Sequence, residues 1–248
     1  MSLTVAMTSA GYRAHPVLSD IRFDLFDGTL TAVIGRNGSG KSTLVRAIAS
    51  LIPYVGSVRA DGVELSSLSH RERAQILSAL LQEPAHPRMS VEELVFCGRN
   101  PHRSLLGTVS DLDRACVKRA IRMADLTSLR ARNADTLSGG ELRRAYFGAL
   151  LAQNAQNVLL DEATAFMDAD YGHRFLSLAR SLAHDDGRAV LSVMHDLSSA
   201  LFYADRILLL DAGTQLFFGS PAELLETDLI ERTFRVRRFC SDGRVFFA

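Results

Sequence analysis

The stretch Gly35-Arg36-Asn37-Gly38-Ser39-Gly40-Lys41-Ser42-Thr43 decides how the rest of the chain is interpreted. It matches the phosphate-loop pattern, in which two glycines bracket four residues and are followed by a lysine and a hydroxyl residue. Backbone N–H groups can close around a phosphate there, because glycine lets the main chain approach at unusual φ angles. Lys41 then places a positive charge on the β- and γ-phosphates, and the Ser42 hydroxyl suits Mg²⁺.

The residues on either side of this loop support a phosphate site. Residues 30–34 form a short apolar run typical of a buried strand, and residues 41–51 have a helical pattern that ends before Pro53. A strand, a glycine loop and a helix suit a phosphate, because the helix N-terminus adds partial positive charge. A glycine-rich turn without a ligand is the alternative, and this context argues against it.

Length and charge limit the kind of protein this is. The 248 residues suffice for one large domain, or for a core with an inserted subdomain. Lys and Arg together number 28, as do Asp and Glu. Bulk charge therefore draws the chain neither to nucleic acid nor to an anionic membrane, and we expect no nucleic-acid partner.

Cysteines, apolar runs and the N-terminus indicate the compartment. Cys97, Cys116 and Cys240 are widely separated, which favours reduced thiols in the cytosol over disulfides or a zinc site. Apolar runs such as 207–210 are far shorter than the roughly 18 residues of a membrane span. The N-terminus lacks the pattern of a signal peptide. We expect a soluble chain whose membrane role comes through a partner.

Two segments before the loop predict an antiparallel sheet. Residues 2–7 and 17–26 have strand character, and Ile21 and Phe23 of the second segment alternate with polar neighbours, as in a sheet with one buried face. Tyr12 lies between these segments, near enough to the phosphate loop for its ring to stack on a base. Packing is the alternative, and it is the more common role of a lone loop tyrosine.

Gln82 follows the apolar segment 76–81, which has the character of a buried strand. A glutamine at the carboxyl end of a central strand can reach a bound ion. A solvated loop residue is an equally good interpretation.

From about residue 84 to 135 the pattern becomes helical, with Ser110 as an N-cap, and predicts a helical subdomain inserted into the α/β core.

The stretch Leu137-Ser138-Gly139-Gly140-Glu141 precedes an amphipathic helix predicted at about 141–153. A serine and two glycines at a helix start leave N–H groups and a hydroxyl open to an anion. A simple N-cap after a turn is the alternative. Two such helix starts in one chain suggest one ligand held from both sides.

Three more polar residues follow buried strands. Asp161 and Glu162 end one predicted strand, and His195 follows the next. Asp161 suits Mg²⁺ bound through water, and Glu162 suits the polarisation of an attacking water. His195 suits a hydrogen bond to the γ-phosphate. The alternatives are a turn or cap at the two carboxylates and a structural role for the histidine.

Taken in order, these motifs resemble those of the ATP-binding-cassette (ABC) ATPases over nearly the whole chain, and their combined order and spacing are highly specific. The counterparts are Walker A (35–43), the Q-loop (Gln82), the signature (137–141), Walker B (158–162) and the H-loop (His195).

The resemblance implies an enzyme that converts ATP and water to ADP and phosphate with Mg²⁺. It implies that Tyr12 stacks on adenine, that Asp168 is the D-loop aspartate, and that two copies pair head to tail, each closing its signature loop on the other's ATP. The implied nucleotide contacts are Tyr12, Gly35, Asn37, Gly38, Ser39, Gly40, Lys41, Ser42, Thr43, Ser138, Gly139, Gly140 and Asp168. The implied metal environment is Ser42, Gln82 and Asp161, and the implied catalytic residues are Gln82, Glu162 and His195.

The implied fold is the α/β P-loop NTPase fold of the ABC type, with an antiparallel β subdomain and an inserted helical subdomain. The core and β subdomain would occupy about 1–83 and 136–248, and the helical subdomain about 84–135, within one ABC ATPase domain.

Residues 91–95 and 98–102 look like segments of the importer ATPases for ferric siderophores, haem and cobalamin, as does the order 194–197 through 218–221. In those ATPases such segments form a groove for a cytoplasmic helix of the permease. The implied partners are integral membrane permease subunits, a second copy of the ATPase in a homodimer and, indirectly, a periplasmic or extracellular substrate-binding protein. The implied location is the cytoplasmic face of the cell membrane. A soluble ABC ATPase on a scaffold complex and an exporter ATPase are the alternatives.

The chain departs from the family pattern at several positions. Residues 141–144 replace the usual Gln-x-Gln-Arg, so that Arg144 is kept but two amides are lost. Ala163 replaces a proline, residues 165–167 replace Ser-Ala-Leu in the D-loop, and Asn157 replaces an apolar residue. None of these changes removes a catalytic group.

Overall fold

The computed structural model describes residues 2–12, 15–81, 85–103, 108–164, 167, 169–241 and 244–247. The strands are β1 (Ser2–Tyr12), β2 (His15–Phe26), β3 (Thr29–Gly35), β4 (Tyr54–Ala60), β5 (Val63–Glu64), β6 (Leu77–Leu80), β7 (Asn157–Leu160), β8 (Ala189–Val193), β9 (Arg206–Asp211), β10 (Thr214–Gly219), β11 (Arg238–Ser241) and β12 (Arg244–Phe247). The α-helices are α1 (Lys41–Ile48), α2 (His70–Ile76), α3 (Val91–Cys97), α4 (Asp111–Met123), α5 (Gly139–Gln153), α6 (Ala169–His184), α7 (Leu197–Tyr203), α8 (Pro221–Leu225) and α9 (Leu229–Phe234).

Contacts divide the chain into two compact units. One unit comprises Met1–Ser66 and Leu176–Ala248, and the other comprises Ser67–Phe175. Helices α3 and α4 lie within the segment predicted to be helical. The subdomain limits predicted near residues 84 and 135 stay a prediction.

The first unit contains a mixed sheet with the strand order β5-β4-β1-β2-β10-β9-β3-β8. Strand β1 pairs antiparallel with β2 and β4, as predicted for the first segments of the chain. Strand β3 instead pairs in parallel with both β8 and β9. The strand that leads into the phosphate loop therefore lies between two parallel neighbours.

Burial follows the sequence pattern of each strand. In β2, Ile21 and Phe23 are buried while Phe26 is 40% exposed, so one face of that strand packs and the other is open. From Leu30 to Gly35 every residue of β3 is buried. A continuous apolar run is what a parallel strand covered on both faces requires.

The second unit contains the parallel pair β6 and β7, with Leu80 opposite Leu160. Asn157, at the start of β7, is 5% exposed, and its side-chain amide donates to the Ile76 carbonyl at 3.1 Å. This hydrogen bond explains how an amide occupies a buried position where an apolar residue was expected.

Four helix starts in the second unit share one local device. A serine N-cap accepts a hydrogen bond from the third helical residue, whose carboxylate accepts one from the serine backbone. The serines are Ser69, Ser90, Ser110 and Ser138. The cap predicted at Ser110 is confirmed.

Two further findings concern the cysteines and the helices. Cys97 and Cys116 are free thiols, in agreement with the prediction for these two residues. Within the part of the chain that the structure describes, no helix combines the length and the apolar character needed to cross a membrane.

A buried ion pair joins α4 to the segment after α3. Arg99 Nε lies 2.9 Å from Asp113 Oδ1, and the two side chains are 5% and 8% exposed. Arg99 also donates to the Ala152 carbonyl at 2.8 Å, near the end of α5. The hydrogen bond from Ser110, together with the Arg99 guanidinium, lowers the pKa of Asp113 to about 2.

We expect Asp113→Asn to lower the free energy of unfolding by about 3 kcal/mol near neutral pH, because Arg99 is left buried without its anion. The folded-state pKa of Asp113 lies below the unfolded value, so the ion pair stabilises the protein above about pH 4 and this contribution is lost as the pH falls toward about 2. Urea denaturation should show the difference between wild type and variant shrinking over that range. Asp111→Asn, exposed in the same helical turn, is the control and should change the free energy by less than about 0.5 kcal/mol. A wild-type-to-variant difference independent of pH would contradict this role of the ion pair.

Candidate active site

The phosphate loop joins β3 to α1 in a conformation that its glycines permit. Gly38 and Gly40 have φ angles of 79° and 98°, in the left-handed region. Gly40 is the N-cap of α1, and within the described chain no side chain caps this helix start. The first amides of a helix have no partner within the helix, so this start is suited to phosphate oxygens.

Lys41 is held against the loop that it follows. Its Nζ donates to the Gly35 carbonyl at 2.8 Å and to the Arg36 carbonyl at 3.0 Å, and the residue is 5% exposed. A compact ammonium group is thus fixed beside the glycine-rich backbone. A fixed ammonium group beside this backbone suits a phosphate-binding lysine, and that role stays a prediction.

The loop also contains a buried hydroxyl that fits a ligand-binding role. Ser39 is 2% exposed, and its Oγ has no hydrogen-bond partner among the described residues. Buried polar atoms are almost always hydrogen-bonded, so an unpaired one inside a phosphate-loop motif is compatible with a bound anion. Ser42 is partly exposed and Thr43 is buried, both in the first turn of α1.

We expect Gly35→Ala to lower the free energy of unfolding by about 1–3 kcal/mol, because the added methyl overpacks a buried site. A Cβ at this position, where φ is 154°, would lie 2.2 Å from the Leu210 carbonyl oxygen and 2.6 Å from Ser39 Oγ. Gly28→Ala is the control, since Gly28 also has positive φ, at 74°, but nothing within 4 Å of the added carbon. Thermal or urea denaturation compares the two variants, and equal losses of stability would contradict the steric argument.

The structure connects Tyr12 to the helix that follows the phosphate loop. Arg46 Nη1, on α1, donates to the Tyr12 hydroxyl at 2.8 Å. The tyrosine is 42% exposed, so its ring is not fully packed against the protein. An anchored hydroxyl and an open ring suit stacking on a base, which stays a prediction.

His195 leaves the sheet at the same edge as the phosphate loop. Strands β3 and β8 run in parallel with Val33 opposite Val193, and Gly35 and His195 each follow their strand's member of that pair by two residues. His195 is exposed. Its position is the one expected of a phosphate-sensing residue, and the hydrogen bond itself stays a prediction.

The two carboxylates follow β7 in the second unit. Asp161 is fully buried, and its backbone N–H donates to the Leu80 carbonyl at 2.8 Å. Glu162 has a φ angle of 49°, which is uncommon for a residue with a side chain. Gln82 and Asp168, two further predicted site residues, lie outside the described residues.

Within the described ranges, no three or more His, Cys, Asp or Glu side chains cluster as a metal site. The predicted Mg²⁺ environment of Ser42, Gln82 and Asp161 contains a single carboxylate, so it is not a cluster of that kind. This environment stays a prediction.

Arg143 is a residue of this region whose contact the sequence analysis missed. It is 1% exposed, and its Nη1 donates to the Glu162 carbonyl oxygen at 2.6 Å. The usable signal was its spacing, because Arg143 lies four residues before the buried Phe147 on the inner face of α5. A charged residue at a core-facing position calls for a buried partner.

The signature motif forms a self-capped helix start. Ser138 donates from its backbone N at 2.9 Å and from Oγ at 3.0 Å to Glu141 Oε2. These hydrogen bonds, with the charge of Arg132 contributing, lower the pKa of Glu141 below its usual range. The N-cap interpretation of Ser138 is therefore confirmed, and binding of an anion at the same place stays a prediction.

A cavity of about 560 Å³ opens beside this helix start. The Arg144 guanidinium lies 4.7 Å from the centre of the Tyr171 ring and also pairs with Asp125 at 3.2 Å. Tyr171 did not feature in the sequence analysis, since nothing in the local pattern marks it. The lining residues are Ser138, Gly139, Gly140, Glu141, Arg144, Met167 and Tyr171.

Comparison with known proteins gives concordant matches. The sequence profile of the family described as ABC transporter matches residues 18–165. Ferric enterobactin transport ATP-binding protein FepC of Escherichia coli (strain K12) is 35% identical over 237 residues, which cover 95% of this chain and 88% of FepC. Hemin import ATP-binding protein HmuV of Burkholderia thailandensis is 37% identical, with 89% of each chain covered. Among solved structures, an ATP-binding subunit of an ABC transporter aligns with a TM-score of 0.79 at 22% identity, over 95% of this chain and 94% of that one. The predicted P-loop fold with its mixed sheet is confirmed.

Proposed function

This chain belongs to the ABC transporter family, and from that premise we propose that it is the ATP-hydrolysing subunit of an importer for ferric siderophore, haem or cobalamin. The observation that carries the proposal is the similarity to FepC along almost the whole chain. Other relatives of comparable identity are named for iron(3+)-hydroxamate, hemin and cobalamin. All of these are large metal complexes, and the proposed cargo is of the same class.

As an ABC ATPase, the protein binds ATP and hydrolyses it to ADP and phosphate. We assign the phosphates to the loop amides and to Lys41, whose ammonium would exchange its two loop carbonyls for phosphate oxygens. Tyr12 is assigned to adenine, with its hydroxyl anchored by Arg46. The full set in the phosphate loop is Gly35, Asn37, Gly38, Ser39, Gly40, Lys41, Ser42 and Thr43.

Mg²⁺ is assigned to the Ser42 hydroxyl, Gln82 and Asp161, which together offer the oxygen ligands that this ion prefers. When bound, the ion would supply positive charge to the β- and γ-phosphates. The complete burial of Asp161 supports this role, because a buried carboxylate needs a cation or hydrogen bonds to remain charged.

Glu162 is assigned as the general base of hydrolysis. A water oxygen forms a bond to the γ-phosphorus, the bond from that phosphorus to the β–γ bridging oxygen breaks, and its electron pair leaves with ADP. Glu162 takes up the proton of the water as that bond forms. His195 donates a hydrogen bond to a γ-phosphate oxygen and so reports whether this phosphate is present.

A second copy of the chain is assigned to complete each nucleotide site. The signature residues Ser138, Gly139 and Gly140, with Asp168, would close on ATP held by the other copy. The open cavity beside Ser138 supports this, since it exposes a helix start to an incoming anion. The proposed assembly is a homodimer.

The permease is assigned to the surface around residues 98–102. Arg71 Nε and Gln75 Nε2 both donate to the Pro101 carbonyl, at 3.0 and 2.7 Å, and His102 Nε2 lies 2.7 Å from the Gln153 carbonyl oxygen. These bonds hold the segment firmly to two helices, as a docking surface that transmits force requires. The protein would then lie on the cytoplasmic face of the membrane, and a substrate-binding protein outside would deliver the cargo.

Trapping the Glu162→Gln protein with ATP in its native membranes tests the proposal. A polytopic permease should co-purify, and vesicles reconstituted with that complex should take up one of ferric siderophore, haem or cobalamin when ATP is supplied. Only soluble partners, with ATP demonstrably bound to the bait, would favour the scaffold ATPase instead. Substrate movement in the opposite direction would identify an exporter.

A further inference from the structure

The guanidinium of Arg143 lies inside the second unit and contacts the backbone of the proposed catalytic residue. The residue is 1% exposed, among the largest fully buried side chains of the described chain. Its Nη1 donates to the Glu162 carbonyl at 2.6 Å, a short bond of the kind that charged donors make. Burying a guanidinium is costly, so its place needs a specific partner.

The backbone that Arg143 contacts is in an unusual conformation. Glu162 has a φ angle of 49°, in the left-handed region, where a residue with a side chain is strained. Ala163 follows Glu162. A proline at position 163 would restrict the backbone conformation of Glu162, and alanine does not. The strained conformation therefore needs support from its surroundings, and Arg143 supplies a hydrogen bond to the same peptide.

Charge reinforces the contact. Burial lowers the pKa of Arg143, while the neighbouring carboxylates of Glu162 and Asp161 oppose that shift by favouring the charged guanidinium. The arginine thus lies in the field of both acidic residues that end β7. It also lies on α5, the helix whose N-cap is the signature serine, Ser138.

We propose that Arg143 is a positioning residue, which holds the left-handed peptide of Glu162 and thereby aims its carboxylate at the attacking water. The inference rests on the proposed function, because it takes Glu162 as the general base. It assigns a role to a position where the family pattern has a glutamine, and it connects the start of α5 to the residue that performs hydrolysis.

A double-mutant cycle on the full-length protein tests this role. Arg143→Met, which removes the donors but keeps an unbranched chain, is expected to lower kcat for ATP about 30-fold, the scale of one charge-assisted hydrogen bond. KM and the dissociation constant of ATP should stay within about twofold, because the residue acts on the chemical step only. Arg143→Lys, which keeps the charge and a donor, should recover part of the loss.

The decisive measurement is made in the Glu162→Gln background by single-turnover hydrolysis of ATP labelled in its γ-phosphate. There Arg143→Met should slow the residual rate by less than about twofold, since a residue that acts through Glu162 has nothing left to position. An equal loss in both backgrounds would overturn the proposal. Normal hydrolysis by Glu162→Gln alone would instead remove the catalytic assignment made under the proposed function.

Stability is controlled separately. Arg188→Met removes another buried arginine, 7% exposed, from the first unit, and should lower the melting temperature without changing kcat by more than about twofold. If Arg143→Met does not fold, Arg143→Leu enters the same cycle, because it also removes the donors and its side chain is smaller. A Leu variant whose losses multiply with those of Glu162→Gln would overturn the proposal equally.

Discussion

Glu162→Gln is expected to bind ATP as wild type does and to hydrolyse it at least about 100-fold more slowly, the scale of losing a positioned base. The amide has almost the shape of the carboxylate but cannot accept the proton of the attacking water. Because Glu162 follows a fully buried β7 and its backbone oxygen is held by Arg143, the substitution should leave the local fold intact. Steady-state release of phosphate and equilibrium binding of ATP are the two measurements.

Glu226→Gln is the matched control, since Glu226 is exposed beyond the end of α8. This variant should hydrolyse ATP at a rate within about twofold of wild type, as expected of a surface substitution remote from the site. Near-normal turnover by Glu162→Gln would reject the assignment of the base. Loss of ATP binding by the same variant would indicate a role for this carboxylate in holding the nucleotide.

Lys41→Met is expected to weaken ATP binding at least about 30-fold, because the ammonium supplies a charge-assisted hydrogen bond worth about 2 kcal/mol. The methionine retains the apolar stem, so the packing of α1 should survive. The lysine is 5% exposed and fixed to the carbonyls of Gly35 and Arg36, so its charge is already oriented before ATP arrives. Isothermal titration with ATP and Mg²⁺ measures the change.

The chain offers one matched control for this experiment. Lys118 is its only other lysine, and it is exposed on α4. Lys118→Met should leave ATP affinity within about twofold of wild type. Equal affinities of the two variants would show that the ammonium of Lys41 does not contact the phosphates.

Local chemistry made several features predictable. The phosphate loop and the cap of α4 each depend on residues within a few positions of one another. The residue types at those positions therefore indicate the local conformation directly. The strand patterns were equally readable, because alternation in β2 and continuous burial in β3 follow from how many faces of each strand are covered. The predicted positions of Lys41 and His195 relative to β3 followed from these elements.

Other features depend on residues that are distant in the chain. Tyr12 and Arg46 are 34 positions apart, and Arg143 and Glu162 are 19 apart. From the sequence, Arg143 was only the loss of a family amide, and Asn157 only an unexpected polar residue. The structure explains both, because packing places a backbone carbonyl beside each side chain and the side chain donates a hydrogen bond to it.

The sequence by itself determined the fold class, the phosphate loop and the family, because these depend on short-range backbone requirements and on the order of motifs. Tertiary structure alone decided which buried charges have partners: Arg143 with the strained peptide of Glu162, and Arg99 with Asp113. The physical reason is that a buried charge is stable only beside a group that compensates its lost hydration, and such a group is brought near by the packing of whole elements.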